Sequence, residues 1–311
     1  MQSNGKVVII GAGHVGSHCA MALAHNRICR EIVLVDIIPQ KAQAQALDVA
    51  DALSYPPNDT IVRAGSYAEC AAADIIVIAI GEPPIPGQTR LSILDSSVRM
   101  LNALLVELRQ VEIAGVVVTI TNPVDIIADC VRRALRLSRY RCFGTGTLLD
   151  TARLVRILSE ETGVPRAAIR AYSMGEHGDS SMIPFSQLRI GKFALDHFPH
   201  VNKDELLEQT RRSGMDVIAA KFCTEFGIGQ CLAFLCRCIF QDRNMVLPLS
   251  VFLAGEYGQR DVHCGVPCVV GGNGIEEVME LPLTADEQRQ LNHSCDIIRT
   301  HMTRAHRIAF M

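Results

Sequence analysis

The chain has 311 residues, 49% of them hydrophobic, and a net charge of −3 at pH 7. That length suffices for two lobes sharing an interface, and the near-neutral charge argues against a nucleic-acid partner, which usually needs a basic stripe. No run approaches the roughly 18 apolar residues of a membrane span, and the opening MQSNGKVVIIGAG reads as a strand without signal-peptide build, so the twelve cysteines are expected as reduced thiols of a cytoplasmic protein.

In chain order, KVVIIGAG predicts a strand and VGSHCAMALAHNRI a helix with apolar positions at helical spacing. EIVLVD is a second strand, and Lys41 to Leu53 a helical stretch ended by Pro56 and Pro57. TIVRAG, ADIIVIAIG and AGVVVTITNP follow as strands, with a sixth at RCFGTG. These runs are apolar throughout rather than alternating, as strands buried on both faces are. Strands alternating with helices predict a parallel, doubly wound α/β sheet. Near residue 144 the pattern changes without a flexible linker. LLDTARLVRILSEETG is a helix, antiparallel strands are expected around AYSMGEHGD, SQLRIG and GVPCVVGG, and TADEQRQLNHSCDIIRTHM is an amphipathic helix.

Gly11-Ala12-Gly13-His14-Val15-Gly16 fits G-x-G-x-x-G between a strand and a helix. Gly11 permits the tight turn, Gly13 lets backbone approach a pyrophosphate, and Gly16 lets helix and strand pack closely. The helix N-terminus then offers N–H groups and partial positive charge to phosphates. Asp36, 20 residues past Gly16, is placed to accept ribose hydroxyls and to repel a 2′-phosphate. Ile37 and Ile38 follow it rather than an arginine, so NAD is expected over NADP. The expected organisation is an NAD-binding Rossmann domain over residues 1–143 and a mixed α+β substrate domain over 144–311.

Four further stretches carry chemistry: GQTR (87–90), TNPVD (121–125), LLDTAR (148–153) and GEHGD (175–179). Reduction of a 2-oxo acid needs a planar, bidentate cation for the carboxylate, which arginine supplies. The ketone oxygen gains negative charge as hydride arrives, so it needs a proton donor titrating near neutrality, which suits histidine, and a second cation. A carboxylate behind that histidine fixes its tautomer. Asp150 and Arg153 are three apart on the predicted helix and share a face. His177 sits in a glycine-flanked turn, and Asn122 ends a strand where ligand sites of such sheets lie. Each has an ordinary structural reading when taken alone: an intrahelical ion pair, a loop histidine, an Asx turn before Pro123, and a surface charge at Arg90. Their joint occurrence after a nucleotide fingerprint makes four independent coincidences improbable.

GEHGD, LDTAR and TNPVD in series, behind VVIIGAGHVG, resemble the L-lactate/L-malate dehydrogenase family over essentially the whole chain. The resemblance implies that His177 is the proton donor and acceptor, Asp150 its orienting partner, Arg153 the carboxylate-binding arginine and Arg90 a lid arginine that polarises the carbonyl. It implies that Asn122 hydrogen-bonds the substrate, that Thr224 lines its pocket and that Ile228 covers the nicotinamide. Lys41 and Tyr67 match positions near the adenosine, and Gly81 and Thr121 start the strand-end turns that run past the cofactor, with Val15 in the phosphate turn. It also implies a homo-oligomer, dimer or tetramer.

Two departures from the family pattern bear on substrate and regulation. Aligned through P-G-Q-T-R, the residue six before Arg90 is Pro84. Lactate-type enzymes have glutamine there and malate-type enzymes an arginine that pairs with the second carboxylate of oxaloacetate. Proline leaves that carboxylate unpaired, at a cost of several kcal/mol, so weak malate activity is expected and larger 2-oxo monocarboxylates become candidates beside pyruvate. Val155 and Arg170 stand where enzymes activated by fructose 1,6-bisphosphate resemble one another in an arginine and a histidine, so little activation by that sugar is expected. Malate dehydrogenase is the alternative within the family. Outside it stand a non-catalytic NAD-binding protein and an NAD-dependent glycosidase, which needs a metal held by cysteine and histidine. Cys236, Cys238, Cys264 and Cys268, with His263, lack the spacing of a zinc site, so no metal is expected there.

Overall fold

A computed structural model describes residues 5–82 and 93–309. Six parallel strands form one half of the sheet: β1 (Lys6–Ile10), β2 (Glu31–Val35), β3 (Ile61–Ala64), β4 (Ile75–Ile78), β5 (Val116–Thr119) and β6 (Cys142–Gly144). Their order is β3-β2-β1-β4-β5-β6. Every residue of β4 and β5 and all but the first of β1 and β2 are buried, because helices cover both faces. The first-half helices are α1 (His14–His25), α2 (Pro39–Ala52), α3 (Leu94–Leu108) and α4 (Val124–Ala134).

The strand order reverses between β1 and β4, the switch point at which sheets of this kind bind ligands beyond the strands' carboxyl ends. Gly11 follows β1, Asp36 follows β2, Gly81 lies just past β4, and Thr121 and Asn122 lie just past β5. Topology alone thus gathers the sequence-predicted nucleotide residues at one edge of the sheet.

The second half contributes α5 (Leu148–Thr162), a small antiparallel sheet of β7 (Ile169–Arg170), β8 (Arg189–Ile190) and β9 (Phe193–Ala194), then α6 (Lys203–Lys221) and α7 (Phe226–Phe240). A meander of β10 (Met245–Ala254), β11 (Arg260–Gly271) and β12 (Gly274–Val278) follows, and α8 (Ala285–Ala309) closes the described chain. β10 pairs antiparallel with β6 through Ser250 and Gly144, so the two halves share one nine-stranded sheet among the described residues. Asn202 caps α6 by accepting from the backbone N–H groups of Asp204 and Glu205. α5 ends at Gly163, whose φ of 68° is left-handed.

One main core runs along the sheet, and a smaller one gathers Leu154, Ile157 and Leu158 of α5 with Ile190 and Leu206. α5 is therefore held from two sides, which fixes the direction of its polar residues.

AYSMGEHGD was expected as a strand and forms only isolated bridges, Met174 with Met182 and Gly175 with Gly265. The physical reason is local. Gly175 sits at a φ of 95°, and the next backbone N–H groups go to side chains instead of a ladder. SQLRIG narrows to the two residues of β8, whereas GVPCVVGG up to Gly271 lies within the long β11.

Candidate active site

The dinucleotide turn follows from glycine sterics. Gly11 adopts a φ of 105°, and a Cβ there would lie 2.4 Å from the carbonyl oxygen of Ala79. A Cβ on Gly16 would come within 1.8 Å of the carbonyl oxygen of Gly11, so helix and strand meet only because neither residue has a side chain. Gly13 is different: the nearest atom to its hypothetical Cβ is Nζ of Lys41, 4.0 Å away, which leaves its backbone open to a ligand.

Asp36 is fixed in this turn. One carboxylate oxygen accepts from the backbone N–H of Ala12 at 2.8 Å and the other from that of Ile38 at 3.0 Å. Ile37 and Ile38 are exposed and place no cation beside it. Tyr67 is half-buried nearby, and burial pushes its phenol up, with the charges of Glu107 and Asp36 adding to the effect. Val15 is half-buried against the main core, and Ile228, on α7, is buried. The hydroxyl of buried Thr121 donates to the carbonyl of Ile80 at 2.7 Å, tying the turn after β5 to the end of β4. Gly81 is exposed there. A glycine turn open at Gly13, a helix N-terminus and an oriented carboxylate together fit a dinucleotide.

The second cluster joins α5 to the GEHGD turn. Asp150 is buried and bridges two groups: one oxygen lies 2.5 Å from Nδ1 of His177 and the other accepts from a guanidinium nitrogen of Arg153 at 2.9 Å. All three side chains are largely buried. The expected i,i+3 pair on α5 exists, yet it sits inside the molecule and not on a solvated face. An imidazole held at Nδ1 by a carboxylate exchanges its proton at Nε2, and a buried guanidinium beside it offers a planar fork to an anion. The carboxamide oxygen of Asn122 is buried with no hydrogen-bond partner among the described residues. Thr224 is half-buried in the segment before α7. Pro84 and Arg90 lie outside the described residues.

A supporting layer escaped sequence reading. Asp125, on the first turn of α4, accepts the backbone N–H of His177 at 3.0 Å. Ser294 of α8 accepts the N–H of Glu176 at 2.7 Å, and Glu176 in turn accepts the Ser180 hydroxyl at 2.5 Å. Gly265 of β11 exchanges backbone hydrogen bonds with Gly175. Asp125 belongs to the TNPVD stretch, so a carboxylate on a buried helix start was the available signal. Ser294, over a hundred residues away in sequence, gave none.

Burial pushes the Asp125 carboxyl up to about 7, with the charges of Glu176 and Asp150 adding to the effect against the hydrogen bond from His177. In the unfolded chain the same group titrates at about 4. Between those values the folded protein holds the extra proton, so this group's contribution falls as pH rises through the window. Asp125→Asn keeps an acceptor for His177 and does not titrate. Its unfolding free energy relative to wild type is therefore expected to improve by about 4 kcal/mol between pH 4 and pH 8, from a shift of about three units. Denaturant titrations at both pH values check this; an unchanged difference contradicts it.

The lactate/malate dehydrogenase NAD-binding-domain model matches residues 5–144, and the alpha/beta C-terminal-domain model of the same family matches 147–308. An L-lactate dehydrogenase of Fusobacterium nucleatum is 41% identical over 305 residues, covering 96% of each chain. L-lactate dehydrogenase 3 of Bacillus thuringiensis is 38% identical with the same coverage. Among solved structures, a minor L-lactate dehydrogenase of Enterococcus mundtii superposes with a TM-score of 0.92 at 29% identity, covering 98% of this chain and 99% of that one. A lactate dehydrogenase from a Medee basin deep-sea metagenome library superposes with a TM-score of 0.91 at 30% identity, covering 97% and 99%. With both family models together spanning nearly every described residue, the chain belongs to the lactate/malate dehydrogenase family.

Proposed function

We propose that the protein is an NAD-dependent L-2-hydroxy acid dehydrogenase of the L-lactate type, acting on pyruvate or a larger 2-oxo monocarboxylate. The observation that carries this is the buried bridge from Arg153 through Asp150 to His177, in a chain that also forms a dinucleotide turn. The relatives named L-lactate dehydrogenase support the same reaction class.

When bound, the nicotinamide supplies the hydride. Arg153 receives the substrate carboxylate through two parallel hydrogen bonds. Asp150 holds His177 so that its Nε2 delivers a proton to the ketone oxygen as negative charge builds there. Asn122 turns its carboxamide to the substrate oxygen. Arg90 adds a second cation at the ketone, and exclusion of water strengthens each of these charges. Thr224 lines the substrate pocket and Ile228 one face of the nicotinamide. Asp36, with no arginine after it, selects NAD over NADP by repelling a 2′-phosphate.

Pro84 in the place of a carboxylate-binding arginine disfavours dicarboxylates. With oxaloacetate, kcat/KM is expected to lie about a hundredfold below that of the best monocarboxylate, since an unpaired carboxylate loses several kcal/mol. Rates of NADH oxidation with pyruvate, oxaloacetate, 4-methyl-2-oxopentanoate and phenylpyruvate test this. A preference for oxaloacetate supports malate dehydrogenase instead, and no oxidation with any of the four supports a non-catalytic dinucleotide protein.

Val155 packs against the smaller core and Arg170 is exposed on β7, a pairing that favours a saturation curve unchanged by fructose 1,6-bisphosphate. No described helix is long and apolar enough to cross a membrane. Twelve cysteines present as thiols suit a reducing compartment, the cytoplasm. Exposed Leu47 and Tyr55 at α2 and Met215, Val217 and Phe222 at α6 favour a homo-oligomer, dimer or tetramer.

A further inference from the structure

We propose that His14, Cys223 and Glu225 form a binding site for one zinc-class divalent cation beside the dinucleotide turn. Among the described residues, Nδ1 or Nε2 of His14, Sγ of Cys223 and a carboxylate oxygen of Glu225 all lie within 4.8 Å of one another. A tetrahedral zinc with bonds near 2.0 to 2.3 Å sets its ligand atoms about 3.4–3.8 Å apart. The cluster needs to tighten by about 1 Å. The exposed ring of His14 and the half-buried loop carrying Cys223 have room to do so.

The three side chains come from two elements that pack on one another. His14 opens α1, and Glu225 caps α7, which crosses α1 closely: a Cβ on Gly229 would lie 3.0 Å from the carbonyl oxygen of His18. The backbone therefore holds the ligands in place without an ion.

The two oxygens of Glu225 divide the work. Oε1 takes the ammonium of Lys221 at 2.5 Å. Oε2 accepts the Cys223 thiol at 3.1 Å and faces His14 Nδ1 at 3.7 Å. An ion entering at Oε2 replaces the thiol proton, which leaves to solvent, and forms a sulfur–metal bond while Lys221 keeps its own oxygen. Glu225 is buried, and Lys221 holds its carboxyl below the usual range. Burial and the Glu225 contact push the Cys223 thiol up. Sulfur, imidazole and carboxylate together select zinc and its late-transition neighbours over calcium or magnesium. Nδ1 of His18 also faces Oε2, at 3.5 Å, but lies 2.8 Å from the carbonyl oxygen of His14, which it serves as a donor. The fourth position is thus left to solvent, as in an open zinc site. His177 belongs to a separate cluster, so the ion has no part in the proton transfer proposed above.

Cobalt(II), titrated into the full reduced chain without nucleotide or substrate, tests the site independently of the dehydrogenase reading. One equivalent should give a thiolate-to-cobalt charge-transfer band and release one proton. Cys223→Ser should abolish the band, His14→Asn should weaken binding at least about tenfold, and Cys231→Ser, at another half-buried thiol, should keep both band and affinity. Circular dichroism confirms that the variants fold. A band that survives in folded Cys223→Ser, an affinity unchanged in His14→Asn, or no band at one equivalent overturns the proposal.

Discussion

His177→Asn is expected to lower kcat for 2-oxo acid reduction by about a thousandfold, within the range that a positioned general acid contributes. Asparagine keeps the polarity and approximate size of the site but cannot give up a proton near neutral pH. The backbone N–H at this position would still reach Asp125, so the GEHGD turn should stay anchored. Binding of NADH, followed by its own fluorescence, should change little, because the dinucleotide turn lies on β1 and α1. The effect should therefore fall on kcat and not on cofactor affinity. A variant turning over at near wild-type rates would remove His177 from the chemistry and leave its contact with Asp150 a structural one.

Arg153→Lys is the second substitution with a large expected effect. Lysine preserves the charge beside Asp150 but loses the planar fork. Two parallel hydrogen bonds to a carboxylate become one, each charge-assisted bond contributing about 1.5–3 kcal/mol. A fall in kcat/KM of about a hundredfold is expected, expressed largely as a higher KM for the 2-oxo acid. Arg153→Ala should lose more, because Asp150 would then be left buried with its bond to Arg153 gone. Steady-state kinetics with the wild type's best substrate checks both. Unchanged KM in Arg153→Lys would mean that the substrate carboxylate is held elsewhere.

Several residues of the candidate site stand out in the sequence because each obeys a short-range rule. Gly11, Gly13 and Gly16 are dictated by backbone approach, Asp36 by its distance from them, and Asp150 and Arg153 by helical spacing. The six parallel strands were legible for a related reason: runs such as IIVI in β4 are apolar at every position, and only burial on both faces explains that. What sequence reading missed depends on distant pairing. The antiparallel continuation of the sheet rests on Ser250 meeting Gly144 across more than a hundred residues. The GEHGD turn misled in the opposite direction. Its flanking Tyr172 and Met174 look like strand residues, but Gly175 at positive φ and acceptors from α4 and α8 hold it as an irregular loop. Asp125 is visible within TNPVD but its role is not, because a partner 52 residues on leaves no local trace.

In the proposed reaction, hydride reaches C2 of a 2-oxo monocarboxylate while His177 protonates its oxygen. The most direct measurement uses NADH deuterated at C4 on the transferred side, with pyruvate, and reads the product by mass spectrometry and chiral separation. L-lactate carrying a single deuterium at C2 is expected from the wild type and should be nearly absent with His177→Asn. Lactate of the D form, product without deuterium at C2, or equal labelled yield from the variant would contradict it.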